Sequence, residues 1–308
     1  MEIYLPIAEQ SMNVFVLLGL GGAAGLLAGM FGVGGGFLAT PLLIFVGIPP
    51  AVAVASQANQ VVANSISSLQ VQWRRGNVDL RMGLVLLLGG MIGSAAGVSL
   101  FTYLKAIGQI DFVIAVLYVV MLSTIGVLML VESARTYIRR RRNPEAPRGK
   151  LHTHYLVHRL PLKLRFYKSK LYISALLPIG IGFAIGVLSA ILGVGGGFVL
   201  VPAMIYILGM PTAVVIGTSN FQILFVAANV TFLQAATNGT VDVVLALLLV
   251  LGGVVGAPIG SRMAAKLPGV VLRGLMSVLI LVVAVELLTE LLRTPSSLYS
   301  LSGRQVMP

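Results

Sequence analysis

Hydrophobic positions run along this chain in long uncharged stretches separated by short polar turns. The first stretch covers about Val14 to Ile48 and is interrupted by Gly32-Val33-Gly34-Gly35-Gly36-Phe37, with Pro41 four residues on. Pro49-Pro50 ends it, since proline removes a helix donor and restricts the residue before it. A helix is predicted over about Ala51 to Trp73, then a turn at Arg74 to Asn77. Asp79 reads as the N-cap of a third helix, about Leu80 to Leu104. A fourth covers about Phe112 to Val131, roughly 30 Å at 1.5 Å per residue, enough to span a bilayer. A basic stretch follows, from Glu132 to Lys170. Inside it Leu160, Leu162, Leu164 and Phe166 alternate with Pro161, Lys163 and Arg165, a period of two that predicts a short strand or hairpin near the membrane surface.

The pattern then restarts. Leu171 to Leu208 is apolar and broken by Gly193-Val194-Gly195-Gly196-Gly197-Phe198, again with a proline (Pro202) four positions on. Pro211 takes the place of Pro50. A helix is predicted over about Thr212 to Ala235, and Asn238 to Asp242 parallels Gly76 to Asp79. Gly252, Gly253, Gly256 and Gly260 parallel Gly89, Gly90, Gly93 and Gly97. A last helix covers about Val271 to Leu292. The offset is 161 residues at the glycine clusters and 163 from the later turn onward. The expected fold is an all-α polytopic membrane protein of two homologous, inverted repeats, each a glycine-broken helical hairpin plus three transmembrane helices. Residues 1–131 form the first repeat, 132–170 a basic cytoplasmic loop, and 171–308 the second repeat with a short tail.

Composition supports the membrane assignment. The 308 residues are 57% hydrophobic and 10% charged, with a mean hydropathy of +1.00; soluble domains carry about 25% charged residues. Absence of cysteine removes disulfides, thiolate zinc sites and thiol chemistry. The net charge of +12 suggests nucleic acid until it is located: 12 of the 21 Lys and Arg lie between Arg135 and Lys170. That concentration marks a cytoplasmic loop, and no nucleic-acid partner is expected. The N-terminus holds Glu2 and Glu9 and lacks the basic region of a cleavable signal peptide. With the basic loop inside, the turn Arg74 to Arg81 also falls inside and the loop near Lys105 outside. If each broken segment folds back to its own side, Arg262 to Arg273 falls inside and Asn238 to Asp242 outside, as the charge bias asks. Both termini are then outside.

Four glycines in five positions are poor helix, at about 1 kcal/mol each relative to alanine. Bare backbone is tolerated at membrane depth only inside protein or a cavity. The expected arrangement is a broken helix whose free amides face an enclosed site. A half-helix starting at Phe37 or Phe198 carries donors and partial positive charge, which suits an anion. Glycine lets the ligand approach the backbone, and successive amides form a nest. Tight packing of small residues explains Gly89 to Gly97 and Gly252 to Gly260, but it explains the doubled clusters less well, because packing needs glycine on one face only. The substrate-binding residues expected on this basis are Gly34, Gly35, Gly36, Phe37, Gly195, Gly196, Gly197 and Phe198. The polar second helices add Gln57, Asn59, Thr218, Ser219 and Asn220, with Ser56, Gln60, Asn64 and Gln222 nearby. Asn59 and Asn220 align at the glycine offset. Such neutral amides line cavities or hold helices together, and equally they could only cap the broken backbone. Asp79 and Asp242 read as helix caps at the surface; Asp111 and Glu286 have no counterparts, so no proton relay is located. His152, His154 and His158 have a spacing that could bind a metal, but without carboxylate or cysteine they read as solvated loop residues. No catalytic residue, metal site or cofactor is expected.

The doubled G-x-G-G-G-F stretch with its proline, the polar second helix and the glycine-rich third helix resemble the TauE/SafE family of membrane transporters, over about residues 14–131 and 172–292. The resemblance implies export of sulfite or a small organosulfur anion such as sulfoacetate across a bacterial inner membrane. The implied partners are the anion, the lipid bilayer and a possible coupling ion; oligomeric state is not read. No Walker A sequence is present, so the chain does not itself drive transport with ATP. A cation or metal permease is the alternative within transport, and it would want intramembrane carboxylates, methionine pairs or histidines. A membrane enzyme or an assembly subunit is the alternative outside it. An enzyme would want convergent His, Asp, Glu or Cys near the glycines, and a subunit would not need the doubled break.

Overall fold

The computed structural model describes residues 2–31, 36–142, 163–166, 168–169, 171–266 and 269–292. Ten helices and two small hairpins are described. The first half comprises β1 (Glu2–Leu5), β2 (Gln10–Asn13), α1 (Val14–Phe31), α2 (Gly36–Phe45), α3 (Pro50–Arg74), α4 (Leu80–Ala106) and α5 (Ile110–Arg142). The second comprises β3 (Lys163–Phe166), β4 (Leu171–Ser174), α6 (Leu176–Leu192), α7 (Gly197–Pro202), α8 (Thr212–Leu233), α9 (Val243–Lys266) and α10 (Gly269–Leu292). Short π turns, Ala203–Ile207 and Gln234–Asn238, follow α7 and α8. The helix α5 runs eleven residues past the predicted end at Val131, into the basic stretch.

Among the described residues, four helical runs are long and apolar enough to cross a membrane: Leu80–Ala106, Ile110–Arg135, Val214–Asn238 and Val243–Gly260. The helix α3 is long enough but falls short in hydropathy, because it carries Ser56, Gln57, Asn59, Gln60, Asn64 and Ser65. Its polar groups point inward: Ser56, Gln57, Gln60 and Ser65 are fully buried. The helix α4 shows the converse. It buries Gly83, Leu86, Gly89, Gly90, Gly93 and Gly97 and exposes Leu84, Leu88 and Ile92. An apolar outside around a small-residue and polar inside is the arrangement lipid requires, since hydrocarbon gives apolar side chains no reason to turn inward.

Helix pairing is reciprocal between the halves. The helix α1 packs on α9 and α4 on α6, while α3 packs on α8 and α5 on α10. Glycine makes the first two contacts possible. A Cβ at Gly93 would strike the Phe183 carbonyl oxygen of α6, and one at Gly256 would strike the Gly22 carbonyl oxygen of α1. Backbones at that separation leave no space for alanine.

Both broken segments fold back. Gln10 Nε2 of β2 donates to the Gly47 carbonyl at 3.0 Å, so the start of α1 and the end of α2 lie together. Leu5, Leu17, Leu43 and Ile48 share one buried cluster there. In the second half Phe166 and Ile173 share a cluster with Leu200, Met204 and Leu208. The β3–β4 hairpin contains the strand that the period-two pattern predicts, paired to residues that the sequence placed in the apolar segment. The β1–β2 hairpin has no counterpart among the sequence-based expectations.

Candidate functional site

The two broken hairpins meet. Phe37 at the start of α2 stacks on Phe198 at the start of α7, ring centroids 4.4 Å apart and planes 7° apart. Both rings are buried, and such a pair contributes about 0.5–1.5 kcal/mol beyond its buried area. Val61 of α3 lies between the tips: a Cβ at Gly36 would come 2.7 Å from Val61 Cγ2, and one at Gly195 would strike Val61 Cγ1. The second tip is made by backbone that favours glycine. Gly193, Gly195 and Gly196 have φ of 67°, 70° and 74°, where a side chain costs roughly 1–2 kcal/mol. The Gly193 amide ends α6 on the Ser189 carbonyl, and the Val199 and Leu200 amides begin α7 on the Gly196 carbonyl. The amides of Gly197 and Phe198 therefore have no acceptor within their own helix. All six residues of the second cluster are buried. Of the first cluster, Gly36 and Phe37 are described and buried; Gly34 and Gly35 lie outside the described residues.

The polar helices are placed with one correction of register. The N-cap of α3 is Pro49 and that of α8 is Pro211, so Pro211 matches Pro49 and not Pro50. Contacts agree. Ser56 Oγ accepts from the Asp242 amide and Thr218 Oγ1 from the Asp79 amide, each at 3.0 Å. A Cβ at Gly253 would lie 2.6 Å from Gln60 Nε2, and one at Gly90 would lie 2.7 Å from Gln222 Nε2. Ser56 and Thr218 are thus counterparts, as are Gln60 and Gln222, while Asn59 and Asn220 are not. Asn59 is half-buried and lines a groove of about 280 Å³ on the outer face between α3 and α9, with Ile66 and Leu247. Asn220 is buried. Each asparagine gives its Nδ2 to its own helix, to the carbonyls of Ser56 and Ile216. Ser219 Oγ does the same with the Ile216 carbonyl.

Gln57 Nε2 donates to Gln60 Oε1 at 2.7 Å, and Gln60 Nε2 donates to the Gly21 carbonyl at 2.9 Å. Gln57 Oε1 has no partner among the described residues, nor has either polar atom of the fully buried Gln222. Tyr118 of α5, also fully buried, gives its hydroxyl proton to the Leu192 carbonyl at the end of α6, with the Thr40 hydroxyl as its other polar neighbour. It braces the second tip from outside its repeat. The sequence signal for it is slight, one tyrosine in the apolar span predicted from Phe112 to Val131.

Asp79 and Asp242 are helix caps, accepting from the Met82 and Leu245 amides. They are not at the surface: both are buried. Each carboxylate also holds a hairpin turn of the other half. Asp79 accepts from the Ser169 amide and hydroxyl, and Asp242 from the Ile7 amide. The hairpins cover the caps, which the sequence reading places at the surface because it does not foresee that cover. Glu286 is exposed on the outer face of α10, beside a groove of about 550 Å³ with Val282 and Val285. The three histidines lie outside the described residues.

Known proteins give the same picture of the chain as a membrane transporter. It is 29% identical over 256 residues to a probable membrane transporter protein of Xylella fastidiosa strain 9a5c, covering 82% of this chain and 86% of that one. It is 29% identical over 283 residues to the probable membrane transporter protein YjnA of Bacillus subtilis strain 168, covering 90% of this chain and all of that one. No solved structure matches it. The description "Sulfite exporter TauE/SafE" matches residues 17–287, nearly the whole sequence. A multi-pass helical protein with paired glycine-broken hairpins, matched over that span, belongs to the TauE/SafE sulfite exporter family.

Proposed function

We propose that this protein is a secondary transporter that exports a small oxyanion, sulfite or a small organosulfonate, across the bacterial inner membrane. The anion is held between the two glycine-broken tips. The observation that carries this reading is their convergence: Phe37 and Phe198 stack at the junction of the halves, and the Gly197 and Phe198 amides are left without a helical acceptor. Neutral donors suit an anion that must leave again, since a fixed buried cation could hold it too tightly. Gly34, Gly35, Gly36 and Gly195 to Phe198 supply backbone, and Gln57 supplies a side chain. Thr218, Ser219, Asn59 and Asn220 bond to backbone groups of the helices, as described above. An ion gradient or the membrane potential drives the flux.

We further propose that the repeats are inverted. The grouping of the turns supports this. Lys105 Nζ donates to the Asn238 carbonyl and the Ile7 amide to Asp242, which gathers the N-terminus, the Lys105 loop and the Asn238–Asp242 turn at one end. Lys168 Nζ donates to the Gly76 carbonyl, which puts the β3–β4 hairpin with the arginine-bearing turn.

The test is efflux from proteoliposomes loaded with sulfite, sulfate, methanesulfonate or a divalent metal. Sulfite or the sulfonate should leave faster than from protein-free vesicles. Metal efflux with no anion efflux would establish the cation permease in its place.

A further inference from the structure

Two glutamines occupy counterpart positions, and they are treated differently. Gln60 is bonded on both edges: it donates to the Gly21 carbonyl and accepts from Gln57. Gln222 is fully buried on α8, against Gly90 of α4, and neither its Nε2 nor its Oε1 has a partner among the described residues. The cause is local. Gln57 lies one helical turn before Gln60 and reaches it. The residue one turn before Gln222 is Ser219, whose shorter side chain turns back to the Ile216 carbonyl. Gly90 lacks the Cβ that would come 2.7 Å from Gln222 Nε2, so the amide has space. The next residue, Ile223, flanks Gly195 of the second tip, 3.1 Å from where a Cβ would stand.

A buried amide with both edges unpaired is costly, because it has given up water on two sides and received nothing. It would be retained where a ligand completes it. We propose that the Gln222 carboxamide is a ligand of the transported anion and selects its protonated form. This rests on the oxyanion-transport reading above. The amide presents one donor edge and one acceptor edge. A fully deprotonated oxyanion satisfies Nε2 and leaves Oε1 facing negative charge. An oxyanion that keeps one O–H accepts from Nε2 and donates to Oε1, so both edges are paired. Hydrogen sulfite is such a species; a sulfonate is not.

The test compares wild type with Gln222→Met and Gln60→Met, in detergent and in proteoliposomes. The probes are sulfite in mildly acidic buffer, where hydrogen sulfite dominates, and methanesulfonate in the same buffer. Wild type should bind hydrogen sulfite more tightly than methanesulfonate. Gln222→Met should weaken hydrogen sulfite at least roughly tenfold, the scale of one hydrogen bond to a charged ligand, and bring the two affinities close together. Without ligand, Gln222→Met should melt at or above the wild-type temperature, since it removes an unpaired amide. Gln60→Met should melt lower, since it leaves the Gly21 carbonyl and Gln57 unpaired. An unchanged preference in Gln222→Met would overturn the proposal and leave the transport reading standing. So would a lower melting temperature in Gln222→Met, which would mean that the amide is paired without ligand. Wild type that binds neither anion would overturn the transport reading and this proposal with it.

Discussion

At the scale of single residues, the hydrogen bonds of the polar helices divide structural roles from open ones. Asp79 was legible as a cap because Asp followed by a long apolar run is a helix-start signal. Its second task was not, because Ser169 lies 90 residues away in sequence. The carboxylate ties a helix start to a hairpin turn, while the Asp79 backbone amide bonds Thr218 of the opposite repeat. Asp79→Ala should therefore cost more than an ordinary cap. A cap is worth about 1 kcal/mol, and the bonds to Ser169 each add about 1.5–3 kcal/mol where the acceptor is charged. A fall in melting temperature clearly exceeding that of Ser169→Ala is expected in detergent. Equal falls would show that the Ser169 hydroxyl bond accounts for the whole effect, and that the cap and the bond from the Ser169 amide add nothing. The asparagines went the other way. Their amide side chains suggested a ligand site, yet each Nδ2 closes on its own helix. Sequence gives residue type but not which partner is nearest, and asparagine often finds one within its own turn.

At the scale of elements, the helices were legible from hydropathy, and their interruptions from glycine and proline. The repeat register was legible only piecewise. The halves are offset by 161 residues at the glycine clusters and by 163 at the later turn, and the structure shows where the two extra residues go. One π turn lies between the second cluster and α8, another between α8 and the Asp242 turn. A π turn closes on the fifth residue instead of the fourth, so it absorbs one extra residue without breaking the helix. An ungapped alignment could not see this, and it paired Asn59 with Asn220. The glycines also separate at this scale. Gly93 faces backbone: a Cβ there would strike the Phe183 carbonyl, which cannot move unless α6 does. Gly196 faces the Ile185 side chain, which can turn away, although φ of 74° adds strain. Gly93→Ala should lose about 1–3 kcal/mol of stability, as overpacking does. Gly196→Ala should lose roughly 1–2 kcal/mol, the left-handed penalty, and its sulfite binding by calorimetry should fall out of proportion to that loss. Gly196→Ala that binds sulfite as wild type does would remove this tip from the proposed site.

At the scale of the whole molecule, topology depends on which ends of the helices lie together. Charge counting gave an arrangement in which the N-terminus, the Lys105 loop and the Asn238 turn share one side of the membrane. Hydrogen bonds gather the same three segments, through Gln10 to Gly47, Ile7 to Asp242 and Lys105 to Asn238. Charge says which side is cytoplasmic, and geometry says which turns travel together; neither statement contains the other. Labelling joins them. The chain has no cysteine, so each introduced thiol reports without background. Ser11 and Thr237 are exposed at one end, and Arg75 at the other. These positions avoid Asn238, whose side-chain oxygen and backbone carbonyl both accept from α4. Ser11→Cys and Thr237→Cys should react with an impermeant maleimide in intact cells, and Arg75→Cys only after permeabilisation. Reaction of Ser11→Cys with no reaction of Thr237→Cys would break the grouping and the inverted arrangement together. Reversal of all three would keep the grouping and turn the protein over in the membrane. The arginines at 74, 75 and 81 argue against that outcome: carrying that turn outward would oppose the retention of basic loops in the cytoplasm.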